Sequence, residues 1–197
     1  MFRYQTARAA GPGVSRRRVL TGLVGAAAAT AVLPALSTPA IAAYPRIPAD
    51  VGRLKFNNLH TGEVLDVTFR EKGSYLPDAL SEINHVLRDH RTGDVAPMDP
   101  GLMDLLSDLA RRIERPTGTF NIISGYRSPK TNAKLASRSG GVARKSYHMR
   151  GMAIDISMDG TELTHLHRAA LRMERGGVGD YPRSGFIHVD TGPVRSW

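Results

Sequence analysis

The chain has no cysteine among its 197 residues, which excludes disulfide staples, thiolate metal ligands and thiol-protease chemistry together. It has no Gly-x-Ser-x-Gly elbow either, so the usual serine-hydrolase arrangement is missing. Aromatic residues make up only 6% of the sequence. With no arginine-rich block and no run of aromatics on which bases could stack, a nucleic-acid partner is not expected. No internal repeat or low-complexity linker divides the chain. Any metal site must be built from His, Asp or Glu.

Acidic residues are missing from the first 42 positions, which carry Arg3, Arg8, Arg16, Arg17 and Arg18. An apolar run rich in Ala and Gly follows from Val19 to Leu36, and the small-residue motif Ala40-Ile41-Ala42 closes it. This is the pattern of a secretory signal peptide, and Arg16-Arg17 directly before a mildly hydrophobic core points to twin-arginine export. A run of about 18 apolar residues approaches the length of a membrane span, but Pro34 and the cleavage motif argue for removal and no stable span afterwards. The expected organisation is a signal peptide over 1–42, an extended arm over 43–52 and one domain over 53–197. Lys and Arg outnumber Asp and Glu by 27 to 18, a net charge of +9, and by 22 to 18, or +4, once the five arginines of the signal are gone. A mildly basic surface suits an anionic polymer such as a cell wall.

A mature chain of about 155 residues is enough for one core. Arg53–Leu59 and Glu63–Phe69 alternate in part around His60-Thr61-Gly62 and predict a hairpin. Pro77 opens a helix with Leu76, Leu80, Ile83 and Leu87 at helical spacing, and Asp99-Pro100 opens a second with Leu102, Leu105, Leu106, Leu109 and Ile113 on one face. Phe120–Ile123, Ala153–Ser157 and Phe186–Val189 read as strands, and Thr161–Arg175 as a helix stopped by Gly176-Gly177. Gly176–Gly179 lacks the strand–glycine–helix context of a nucleotide site and reads as a loop. The fold class expected is α+β: a small domain with a central, mainly antiparallel sheet and flanking helices.

The chemistry concentrates in the last third. Ser146-Tyr-His148-Met-Arg-Gly151-Met-Ala153-Ile-Asp155 places a histidine and an aspartate seven positions apart, and His188 follows on a later strand. His148, Asp155 and His188 form the two-imidazole, one-carboxylate set of a catalytic zinc site, which keeps its fourth position for water and lowers that water's pKa to about 7. One Zn2+ ion is the cofactor expected. His60, His85, His90, His165 and His167 read as turn or helix-surface residues.

Ser146-x-His148-x-x-Gly151-x-Ala153-x-Asp155 resembles, at every fixed position, the first zinc motif of the superfamily that joins lysostaphin-type endopeptidases, D-alanyl-D-alanine metallopeptidases and the hedgehog fold. Ser124-Gly125-Tyr126-Arg127-Ser128 resembles the arginine segment of the D-alanyl-D-alanine branch, and Gly179–Trp197 is similar to the YcbK-like group of murein endopeptidases. The resemblance implies that His148, Asp155 and His188 bind the zinc and that Arg127 faces a substrate carboxylate or the developing oxyanion. It implies peptidoglycan peptide stems as the partner and crosslink hydrolysis as the activity. Ser146 and Tyr126 are candidate acceptors for a ligating imidazole's second N–H. The acidic base common three residues before the last histidine of that branch is replaced here by Gly185, and the histidine that lysostaphin-like members carry two before it by Phe186. Asp190 is therefore nominated as base or orienting partner, with Asp180 as a second choice. A D-alanyl-D-alanine carboxypeptidase and an inactive, zinc-stabilised binding module are the alternatives, and the oligomeric state stays open.

Overall fold

The computed structural model describes residues 47–138 and 141–197. The expected signal peptide and residues 43–46 of the expected arm lie outside the described residues. Ile47–Val51 turn through a Val51 N–H to Pro48 carbonyl bond of 3.1 Å, and Arg111 holds this segment by donating to the carbonyls of Pro48 and Val51.

The predicted hairpin forms β1 (Gly52–Asn58) and β2 (Val64–Glu71), antiparallel, with Gly62 at φ +73 in the connection. β2 continues into the short β3 (Ser74–Tyr75), which sequence periodicity does not reveal at two residues. Pro77 then occupies the first turn of α1 (Pro77–Val86), and Asp99 caps α2 (Pro100–Arg112) by accepting the Gly101 N–H at 2.9 Å. Proline suits that first turn because its missing N–H has no helical partner to lose. β4 (Thr119–Ser124) follows, then α3 (Pro129–Ala136), β5 (Ala153–Met158) and α4 (Leu163–Leu171). The chain finishes with β6 (Gly177–Tyr181), β7 (Phe186–Asp190) and β8 (Arg195–Ser196).

The eight strands form one sheet in the order β3-β2-β1-β4-β5-β7-β6-β8. Its pairs are antiparallel except β1 with β4 and β6 with β8, so the expected α+β domain with a mainly antiparallel sheet is what the chain forms. One expectation is corrected: Gly177–Gly179 is strand, not loop, and it pairs on both sides.

Strand pleat separates core from site. Ile154, Ile156, Ile187 and Val189 are buried with Leu102, Leu106, Leu109 and Leu166 of α2 and α4 in one apolar cluster. The residues between them, Asp155 and His188, project to the opposite face because successive side chains alternate across a strand. The helical layer thus makes a rigid floor, and the other face is left for polar groups.

Candidate metal centre

In β5 and β7, Asp155 and His188 are direct cross-strand partners. His148 reaches them from a 3-10 turn (Tyr147–Arg150) that leads into β5. Ser146 caps this turn, accepting the His148 backbone N–H at 3.3 Å, and Gly151 ends it at φ +66. A β-carbon on Gly151 would also collide with the Pro97 carbonyl oxygen, so conformation and packing both demand glycine at this motif position. Gly151→Ala is expected to cost at least about 1–3 kcal/mol from backbone strain alone, read as a lowered Tm, and to weaken metal binding by displacing His148.

Three donor atoms converge. His148 Nε2 lies 3.2 Å from His188 Nδ1 and 3.3 Å from Asp155 Oδ1, and His188 Nδ1 lies 2.9 Å from Asp155 Oδ1. A tetrahedral ion with donors at about 2.0–2.1 Å sets its ligands about 3.3 Å apart, so the three atoms match one face of such a polyhedron. Among the described residues this is the one group of three or more His, Asp and Glu able to hold an ion.

The far side of each ring fixes its tautomer. His148 Nδ1 donates to the Gly125 carbonyl at 2.8 Å, and His188 Nε2 donates to Asp190 Oδ2 at 2.9 Å. Carbonyl and carboxylate oxygens only accept, so those nitrogens carry hydrogen and the opposite lone pairs point to the shared centre. The acceptor for His148 is therefore a backbone carbonyl rather than Ser146 or Tyr126. Ser146 is a cap, and Tyr126 packs against the core.

Asp190 lies beneath the site with 0% exposure. It accepts five bonds: from His188, from the Gly177 and Gly192 N–H groups, and from both terminal nitrogens of Arg195. Burial by itself would raise its pKa, yet the bonds from His188 and Arg195 hold it well below the usual carboxylate range. Burial raises and the two histidines lower the pKa of Asp155, again with a strongly depressed result. For His188, burial opposes the charge while Asp155 and Asp190 favour it, and its pKa is raised. Asp190 is bonded to His188 and is not among the residues that line the cavity. Asp180 pairs with Ile187 rather than His188, so it faces away from the site, 3.9 Å from His167.

Arg127 is 9% exposed and sits at the rim of Asp155 Oδ2 at 3.4 Å. Its other contacts, Ser124 Oγ at 3.2 Å and Asn132 Oδ1 at 3.4 Å, are long, and Nε has no partner among the described residues. The guanidinium keeps donors to spend. Its segment is pinned by Asp89, a residue sequence reasoning did not single out, which is buried and accepts the Ser128 N–H at 2.9 Å and the Arg91 N–H at 3.0 Å.

The three donor residues and Arg127 line a cavity of about 480 Å³, together with Lys145, Tyr147, Tyr181, Phe186, Arg195 and Trp197. Asp155 is the single carboxylate side chain among the described lining residues. Gly185 ends a turn at φ +73 with open space around it, and Phe186 stacks on Tyr181 at 4.7 Å. Neither position supplies a proton-transfer group.

The family model described as peptidoglycan L,D-endopeptidase MepK matches residues 46–197. The chain belongs to that family. It is 44% identical over 190 residues to peptidoglycan L,D-endopeptidase MepK of Escherichia coli K12, covering 93% of this chain and 97% of the relative. A probable peptidoglycan L,D-endopeptidase MepK of Haemophilus influenzae is 40% identical over 166 residues, 84% of each chain. Within this MepK family domain, the expected residues His148, Asp155, His188 and Arg127 are brought together at one cavity, and Asp190 stands one layer behind. Sequence reasoning did not foresee the Gly125 carbonyl, Asp89, Arg195, Tyr181 or Trp197. The first is a backbone atom with no sequence signature, and the others reach the site only through strand pairing and long-range packing.

Proposed function

We propose that this chain is an exported, zinc-dependent endopeptidase that hydrolyses peptide crosslinks of peptidoglycan at an L,D bond. The observation that carries the reading is the triangle of His148 Nε2, Asp155 Oδ1 and His188 Nδ1 on the floor of a cavity whose other charged side chains among the described residues, Arg127, Lys145 and Arg195, are all cationic. The names of the relatives specify the L,D-endopeptidase activity, and the near-complete coverage supports extending it here.

The donor set suits zinc: two imidazoles and one carboxylate with no sulfur is a catalytic rather than a structural combination. His148, Asp155 and His188 would hold the ion. When bound, zinc supplies Lewis acidity, acidifying water and polarising a carbonyl. The chain's own groups supply positioning and charge. The Gly125 carbonyl and Asp190 fix the two imidazoles in the tautomers that present lone pairs inward. Arg127, which lines the cavity, is placed to hold an anionic oxygen beside the scissile bond. Lys145 stands exposed on the same wall with no ion pair among the described residues, ready for a carboxylate of the stem peptide. No separate carboxylate base is built into the described wall, so the proton leaves through solvent rather than through Asp190.

Export rests on the signal-peptide pattern of residues 1–42, and action on peptidoglycan places the protein in the cell envelope. Among the described residues no helix is long and apolar enough to cross a membrane. The test is incubation of the purified protein with crosslinked muropeptide dimers, followed by mass spectrometry. Conversion to monomers at the L,D bond, stopped by chelator and restored by zinc, is the expected result. Bound zinc with intact dimers would instead support a peptidoglycan-binding module, and release of terminal D-alanine a carboxypeptidase.

A further inference from the structure

Strand β6 aligns Gly179 with His188 and Tyr181 with Phe186, so Gly177, Gly179 and Tyr181 all face the metal-centre side of the sheet. The first two positions have no side chain, and two others occupy the space. A β-carbon on Gly177 would strike the Arg195 guanidinium, and one on Gly179 would stand 2.6 Å from the Trp197 indole. The backbone of this segment is clamped to β6: Trp197 donates its N–H to the Val178 carbonyl at 3.2 Å and accepts the Asp180 N–H at 3.0 Å.

Laid over Gly179, the indole lies 5.2 Å from the His188 ring, and its Nε1–H donates to the Tyr181 hydroxyl oxygen at 2.8 Å. An indole N–H can only donate. The phenol oxygen must therefore accept from Trp197, and its own hydrogen remains available to another acceptor. That bond to Trp197 is the hydroxyl's single hydrogen bond among the described residues. Stacking on Phe186 fixes the ring plane, with 19° between the two rings. Tyr181 lines the same cavity as Arg127.

We propose that Tyr181 is a catalytic residue, whose hydroxyl, turned by Trp197, donates a hydrogen bond to the scissile carbonyl oxygen as negative charge develops on it, beside Arg127. No proton is transferred: the bond strengthens as the oxygen becomes anionic and weakens when the carbonyl re-forms. This inference rests on the peptidase reading above. A donor of this kind acts on the transition state more than on the bound substrate. Loss of one oxyanion donor typically costs about 10²–10³ in kcat, and with Arg127 still present the expected loss here is about 10- to 100-fold.

Three measurements test it. Tyr181→Phe is expected to lower kcat by about that factor with KM within about threefold of wild type and zinc content unchanged. Trp197→Phe, which keeps an aromatic ring but loses the N–H, is expected to lower kcat by a smaller factor, and the double variant to be no slower than Tyr181→Phe alone, since both changes act through one hydroxyl. Trp197 is the chain's sole tryptophan, so its fluorescence reads muropeptide-dimer binding to the zinc-depleted protein without turnover. That affinity is expected to be unchanged in Tyr181→Phe. Wild-type kcat in Tyr181→Phe, a loss confined to KM, or additive effects of the two variants would overturn the assignment. If wild type cleaves dimers and Tyr181→Phe cleaves them equally well, this inference alone fails; if wild type cleaves none, the peptidase reading fails and takes it along.

Discussion

Asp155→Ala is expected to leave a protein that retains no zinc, cleaves no crosslink and unfolds more easily than wild type. Asp155 is 6% exposed and touches both histidines and Arg127. Truncation removes one of three donors and the carboxylate that pairs with the buried Arg127 guanidinium. Breaking a buried charge pair by deleting one partner costs about 3–5 kcal/mol. The catalytic loss is of at least comparable size. Lewis-acid stabilisation is worth several kcal/mol of barrier, and each 1.36 kcal/mol is tenfold in rate, so turnover should fall by about 10³ or more. Asp155→Asn separates the two effects, because it keeps the shape and much of the hydrogen bonding while removing the charge. Metal analysis, thermal unfolding and dimer cleavage on both variants provide the check. Full zinc occupancy in Asp155→Ala would remove this residue from the centre.

Asp190→Asn should behave differently, and the difference decides what Asp190 does. A carboxylate that orients a ligating imidazole tunes metal affinity, and losing it costs about 10- to 100-fold in binding. A carboxylate that moves the proton in the reaction costs about 10²–10⁴ in rate whatever the metal concentration. Asp190 has no exposure and five accepted hydrogen bonds. It cannot reach a water in the cavity without breaking them. The variant should thus lose activity at limiting zinc and recover most of it at saturating zinc. An activity that stays more than about a hundredfold down at saturating zinc would restore Asp190 to the role of base. Asp190→Ala is the less informative change, because it also strands Arg195 and two backbone N–H groups and will lower stability on its own account.

What the sequence discloses follows the range of each interaction. The His148–Asp155 motif is local: a capped 3-10 turn, a left-handed glycine and a strand, all within ten residues. Its consequence for geometry is therefore legible in the order of the residues themselves. His188 joins it through one strand register, which alternation of apolar and polar residues in β5 and β7 foreshadows. β6 is the contrary case. Glycines carry no strand preference, so Gly177-Val178-Gly179 reads as a loop; the reason for glycine is the pair of side chains, Arg195 and Trp197, laid across it from 18 residues further on. α3 escapes for another reason: its buried residues are Thr131 and Asn132, which leave no apolar period to detect, although Ser128-Pro129 is a fair cap signal. The orienting groups divide in the same way. Asp190 is visible as a neighbour of His188 along one strand, whereas the Gly125 carbonyl is a backbone atom whose position depends on how the Leu87–Asp89 segment packs against it.

One zinc ion held by three specified atoms is what the proposed chemistry requires. Crystals grown with zinc and measured on either side of the zinc absorption edge test it directly. A single anomalous peak is expected, about 2.0–2.2 Å from His148 Nε2, Asp155 Oδ1 and His188 Nδ1, with Asp190 still bonded to His188 Nε2. A peak elsewhere, or one coordinated by the opposite nitrogen of either histidine, would rule out this donor set.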